Sequence, residues 1–179
     1  MTPAIQPRGI RRRADLLRAA VQLLTEGGFA AVTHRAVAQR ADLPLAATTY
    51  YFASRDQLLA QAFSLLVEDE LTALRHAVTA GGLLGALEEL PHQRLRQLGL
   101  WELYVHAGRD PELQQIARAW SDGCLVIIAD FLHLPPDDLR VQLVYATFDA
   151  LWLEHVVEER HSDLSTARAL LAFAIAAVP

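Results

Sequence analysis

Three observations predict an all-α fold. Alanine (30) and leucine (31) supply 61 of the 179 residues, while valine, isoleucine and threonine together supply 27. Small and straight-chain side chains favour helices, and β-branched ones favour strands. Apolar residues recur at spacings of three and four along most of the chain, the helical period. Glycine pairs, prolines, and hydroxyl or acidic residues punctuate these runs where helices should start and stop, and no alternating stretch reads as a strand. With 53% hydrophobic residues, the chain should bury a sizeable core as one domain or two small ones.

Residues 1–10, with Pro3, Pro7 and Gly9, read as a flexible arm. A first helix follows on Leu16, Leu17, Ala20, Val21, Leu23 and Leu24. Gly27-Gly28 ends it, because glycine readily takes the left-handed conformation past a last turn. Thr33 suits the N-cap of a second helix reaching about Ala41. Asp42-Leu43 is a short connection, and Pro44 belongs in the first turn of a third helix ending near Tyr51 or Phe52. Ser54 caps a long fourth helix with Leu58, Leu59, Ala62, Phe63, Leu66, Val67, Glu70, Leu71 and Leu74 at helical spacing, ended by Gly81-Gly82.

Beyond it a short helix spans about Leu83 to Leu90, before Pro91, and another runs from about His92 to Gly108. Asp110-Pro111 opens a helix reaching about Leu134, where Pro135-Pro136 breaks it. Asp137 and Asp138 favour a new N-terminus through the helix dipole, for a helix continuing to about Arg160. Ser162 or Asp163 caps a final helix ending at Val178.

Several classes are excluded. No stretch of about 18 uncharged apolar residues reads as a membrane span. The arginines near the N-terminus lead into Asp15, Arg18 and Gln22 instead of the apolar core of a signal peptide. A cytoplasmic protein without a membrane partner is expected. Cys124 has no partner cysteine and reads as a small buried hydrophobe. There is no phosphate-binding glycine loop, no zinc-binding Cys/His set and no nucleophile elbow. Glu158-Glu159-Arg160-His161 holds one Glu-x-x-His spacing, but a di-iron bundle needs a second copy and further glutamates. No catalytic residues, metal ligands or cofactors are expected.

Charge divides the chain. Residues 1–56 carry eight arginines against four acids, and residues 57–179 carry eight against seventeen. A basic N-terminal third on an acidic body points to a polyanion partner at the N-terminus. Within that third, Thr33 to Phe52 has the layout of a helix-turn-helix, whose second helix enters the major groove. Ala46 and Ala47 let the backbone approach DNA, and alanine and threonine methyls meet thymine methyls. Threonine and tyrosine hydroxyls donate to phosphates, and Arg35 can reach guanine O6 and N7.

The stretch VTHRAVAQRADLPLAATTYYFASRDQLL, with Gly28-Phe29 before it, resembles the DNA-binding domain of the tetracycline-repressor family of bacterial regulators. The match covers about residues 10–63. The resemblance implies phosphate contacts at Thr33 and His34, base reading at Arg35, and base-facing positions at Leu45, Ala46 and Ala47. It places Thr49 where many members have a phosphate-binding tyrosine. Tyr50 and Tyr51 follow, as contacts or as packing residues, and Arg55 matches a phosphate-binding lysine. Leu45 is apolar where polar residues are common, and Thr49 is shorter than tyrosine. Arg11, Arg12 and Arg13 precede the first helix, as phosphate or minor-groove contacts or as a solvated basic tail.

The resemblance further implies residues 1–54 as an arm and helix-turn-helix domain, and residues 55–179 as a helical-bundle domain for ligand binding and dimerisation. The implied partners are a near-palindromic double-stranded DNA operator, a second copy of the chain and a largely apolar small-molecule inducer. Trp101, Tyr104, Trp120, Phe148 and Trp152 are the candidate ligand-binding residues, since aromatics build apolar pockets. Helices near 112–134 and 137–160 are the expected dimer interface. His106 and His155 are candidate hydrogen-bonding groups for a ligand. A ligand-responsive dimeric repressor is the expected function. A helical interaction protein without DNA binding and a small all-helical enzyme are the alternatives. Arg35 and Arg55 favour the first over the second, and the missing catalytic set disfavours the third.

Overall fold

The computed structural model describes residues 7–89, 94–158 and 164–176. Among these lie eight helices and no strand: α1 (Pro7–Ala31), α2 (His34–Arg40), α3 (Leu45–Tyr51), α4 (Arg55–Glu89), α5 (Arg94–Ala107), α6 (Pro111–Leu132), α7 (Leu139–Glu158) and α8 (Ser165–Ala176). Two compact units form. One is built from the chain up to Leu66 together with Gly99–Ile116, the other from Val67–Leu98 and the chain from Ala117 onward. The expected division at residue 54 falls just before α4, yet Leu58, Leu59, Ala62, Phe63 and Leu66 of that helix are buried in the first unit.

In the first unit α1 begins at Pro7, earlier than an arm over residues 1–10 would allow. Proline suits a first turn, where its missing N–H has no partner to lose. Arg11, Arg12 and Arg13 therefore lie inside α1 and not before it. Gly28, at φ 70°, breaks α1 as the glycine pair predicts, and one further helical turn follows. Thr33 caps α2: its Oγ1 accepts the Ala36 N–H at 3.1 Å. Ser54 caps α4 by accepting the Gln57 N–H at 3.1 Å, while Gln57 Oε1 accepts the Ala53 N–H at 2.6 Å. Asp42 turns the chain between α2 and α3 at φ 52°. The core joins Leu16, Ala20, Leu24, Val32, Val37, Phe52 and Phe63 to Leu100 and Leu103 of α5.

In the second unit Gly82, at φ 67°, interrupts α4. The helical segments on either side of it are the long and short helices expected there. α6 stops at Leu132, two residues early, because His133 takes a left-handed conformation at φ 56° and Leu134 precedes a proline that disfavours helix. Asp138 opens α7 by accepting the Arg140 N–H at 2.9 Å. Val141, Val144, Phe148, Leu151, Trp152 and Val156 make the buried face of α7, and Ala167, Leu171 and Ala174 that of α8. The expected signals at Pro3, Pro91, His92, Glu159, Arg160, His161, Ser162, Asp163 and Val178 lie outside the described residues.

Candidate DNA interface and effector cavity

The helix-turn-helix is α2, a four-residue connection and α3. Periodicity decides which side chains α3 offers. Thr48 is fully buried and its hydroxyl donates to Leu45 O at 2.8 Å. The opposite face carries Leu45, Ala46, Thr49 and Tyr50, all exposed, with Tyr50 81% exposed. Ala47 and Tyr51 are half-buried, and Tyr51 packs edge-to-face on Tyr50 at 4.9 Å. Pro44 gives α3 no side-chain cap, which leaves its first N–H groups open. Arg35 is exposed in the first turn of α2 and makes no hydrogen bond or ion pair among the described residues. Thr33 is exposed beside it. His34 is half-buried with its Nδ1 enclosed and unpartnered.

Arg55 is placed differently from its expectation as a phosphate contact. Its Nε donates to Val32 O at 2.7 Å and its Nη2 to Phe29 O at 2.5 Å, and the guanidinium lies 4.7 Å over the Phe29 ring. The side chain thus ties the end of α1 to the residue before the α2 cap. α5 supports the same corner. Glu102 accepts the Phe29 N–H, and the His106 ring stacks on Phe29 at 3.7 Å. Nearby, Arg40 makes a forked pair with Glu26 at 3.0 and 2.7 Å; this pairing lowers the Glu26 pKa and raises that of Arg40. Arg13 donates to Gln61 Oε1 at 2.6 Å and lies over the Phe52 ring.

The second unit carries a cavity of ≈570 Å³ that is partly open to solvent, within the usual range of about 300–1,000 Å³ for small-molecule sites. Both arms of α4 around Gly82 line it, with Gln97 of α5, Trp120 of α6, and Phe148 and Trp152 of α7. Trp120 and Trp152 meet at 5.1 Å and 54°. Three of the five expected aromatics therefore line the cavity. Trp101 and Tyr104 do not: they pack on each other at 5.6 Å, on the part of α5 that belongs to the first unit. Neither His106 nor His155 lines it.

The cavity's polar groups escaped sequence reasoning. Glu70, Glu88, Glu89, His76 and Gln97 all line it. Glu70 is 4% exposed; its Oε1 accepts Arg96 Nε at 2.6 Å and its Oε2 accepts Gln97 Nε2 at 2.7 Å. Arg96 also lies 3.7 Å from Asp69, and Arg168 pairs with Glu88 at 2.9 Å. A glutamate amid the apolar residues of α4 was the available signal, because an ionised group on a buried face needs partners. Gln97 carried no such signal.

Elsewhere, burial pushes the Cys124 thiol up, with help from the Asp149 carboxylate, and burial raises the Asp149 pKa in turn. The Arg140 guanidinium and backbone N–H hold the Asp138 carboxyl at about 2. Among the described residues no group of three His, Cys, Asp or Glu side chains is placed to hold a metal ion, and no helix is long and apolar enough to cross a membrane.

A helix-turn-helix on one helical unit and a partly open aromatic cavity in a second fit a DNA-binding regulator with a sensing domain. Residues 16–62 match the bacterial regulatory proteins of the tetR family, and residues 74–177 match the tetracycline-repressor-like C-terminal domain. The chain belongs to the tetracycline-repressor family; it is a DNA-binding transcriptional regulator and not an enzyme. It is similar to the transcriptional regulator SCO7518 of Streptomyces coelicolor A3(2), at 27% identity and TM-score 0.78, covering 94% of this chain and 98% of that one. The regulator BetI of Burkholderia thailandensis is 28% identical over 167 residues, covering 79% of this chain and 80% of its own. The multidrug binding protein EbrR, solved with ethidium, is 27% identical with TM-score 0.73, covering 91% and 98%.

Proposed function

We propose that two copies of the chain bind a near-palindromic operator and repress from it, and that a small molecule in the second unit's cavity releases them. The observation that carries this reading is the exposed face of α3, with Arg35 unpaired beside it. Leu45, Ala46 and Ala47 face bases. Arg35 reads one base pair, and Thr33, His34, Thr49 and Tyr50 meet phosphates. One seven-residue recognition helix reads too few base pairs for useful specificity, so a second copy is required. Apolar side chains exposed on α7 and α8 supply the dimer contact. The aromatic-lined cavity supports the effector role, as does the similarity to EbrR, which binds several drugs.

An effector acts only through its different affinities for the DNA-competent and DNA-incompetent states. Selection from a random duplex library, followed by anisotropy titration of the enriched site, tests the DNA reading. Enrichment of an inverted repeat with half-site centres about 34–36 Å apart, or a multiple, is expected. No enrichment over scrambled duplex overturns it.

A further inference from the structure

The outward face of α3 lacks the groups that base recognition ordinarily uses. Base pairs are told apart in the major groove chiefly by arginine, lysine, asparagine, glutamine and acidic side chains. The sequence of α3, LAATTYY, contains none of them. Thr48 is buried and donates its hydroxyl to Leu45 O. Thr49 is exposed and donates to Ala46 O at 3.3 Å. Leu45, Ala46 and Ala47 carry no side-chain donor or acceptor. Leu45 is the one large side chain among these three, and it is 51% exposed.

Elementary chemistry decides which base such a side chain can favour. Thymine alone offers an apolar group in the major groove, its C5-methyl. Packing that methyl against leucine removes apolar surface from water. Adenine, guanine and cytosine present polar edges, and an alkyl group displaces their water without replacing the hydrogen bonds.

Building on the reading of α3 as the base-facing helix, we infer that Leu45 is a specificity-determining residue that selects thymine through its C5-methyl and not through a hydrogen bond. Ala46 and Ala47 are small enough to let that contact close. Each half-site is then read in two ways, by hydrogen bonds from Arg35 at one base pair and by methyl contact under Leu45 at another.

Deoxyuridine isolates this contact, because uracil keeps every hydrogen-bonding atom of thymine and drops only the methyl. A duplex enriched from the random library is resynthesised with deoxyuridine replacing one thymidine at a time. Each version is titrated by anisotropy against wild type and Leu45→Ala. Removing the methyl at one thymine per half-site should cost the wild type about three- to fivefold in affinity. Leu45→Ala should weaken binding to the parent duplex by a similar factor and bind the parent and that deoxyuridine duplex within about twofold of each other. At the same position, 5-methylcytosine should bind the wild type better than cytosine. Leu45→Ala keeps the carbonyl that Thr48 uses, so its unfolding midpoint should match that of wild type. Should it fail to fold, the wild-type scan and the cytosine pair decide alone.

A half-site without thymine, or a scan in which no deoxyuridine costs more than about twofold, overturns the methyl contact and leaves the operator reading standing. A loss that persists undiminished in Leu45→Ala also overturns it, since the effect then comes from duplex shape. Selection that enriches no duplex overturns both.

Discussion

Arg35 and Arg55 are the same residue type, twenty positions apart, and the fold gives them opposite work. Arg35 reaches outward with no internal partner, so Arg35→Ala should leave the unfolding midpoint unchanged. It should cost about 1–3 kcal/mol on operator DNA and relax preference at one base pair per half-site. Equal losses on operator and scrambled duplex would refute base reading. Arg55 instead closes a fork on Val32 O and Phe29 O. Its charge sits among carbonyls at the end of α1, where a cation is favoured. Lysine cannot supply two N–H groups at fixed spacing. Arg55→Lys should therefore lower stability by about 1–3 kcal/mol in chemical denaturation and weaken DNA binding as the corner loosens. An unchanged denaturation midpoint with only a shallower salt dependence would restore the phosphate role. The motif placed both arginines in the sequence, but nothing in the sequence tells which way a guanidinium points.

At the scale of elements, glycine pairs were the most legible signal: the second glycine of each pair, Gly28 and Gly82, has positive φ. At Gly28 a Cβ would also run into the Glu102 carboxylate that receives the Phe29 N–H. Gly28→Ala should lower the thermal midpoint and weaken operator binding. Gly81→Ala, with nothing within 4 Å of its Cβ, should be neutral or raise stability by about 0.5–1 kcal/mol. Equal midpoints for the two variants would exclude the Glu102 clash. α5 shows where pattern reading stopped. Its apolar period predicted the helix, but the chain passes between units at Leu98 and Gly99 with no mark in the sequence. Trp101 and Tyr104 consequently read as cavity residues.

On α7, burial raises the Asp149 pKa above the ordinary aspartate range. Ionised Asp149 thus disfavours the folded state at neutral pH, and the penalty lifts as pH falls through the raised value. Asp149→Asn should raise the thermal midpoint at pH 7, with the gain shrinking toward pH 4. A gain that grows on acidification would contradict the burial account.

At the scale of the whole molecule, the chain carries more apolar helix surface than it covers by itself. α7 buries Val144, Phe148, Leu151 and Val156 on one face, yet exposes Leu139, Leu143 and Val157 away from it. α8 exposes Leu170 and Phe173, the latter 76% exposed. Large apolar side chains gathered on consecutive helices mark an interaction surface, and the inverted-repeat operator proposed above would need a second copy. Sequence reasoning named helices near 112–134 and 137–160; the exposed side chains move the weight to α7 and α8, with Val126 and Phe131 of α6 contributing at most a margin. Helix length and mean hydropathy could not show this, because they do not say which face the core takes. We expect a homodimer burying more than about 1,000 Å² in total. Leu143→Arg with Phe173→Glu places charges on that face without touching the core positions of either helix. The double variant should sediment as a monomer at micromolar concentration, keep its helical circular dichroism, and lose most operator affinity while retaining weak binding to any duplex. A wild-type monomer at that concentration, or a variant that still sediments as a dimer, would place the interface elsewhere.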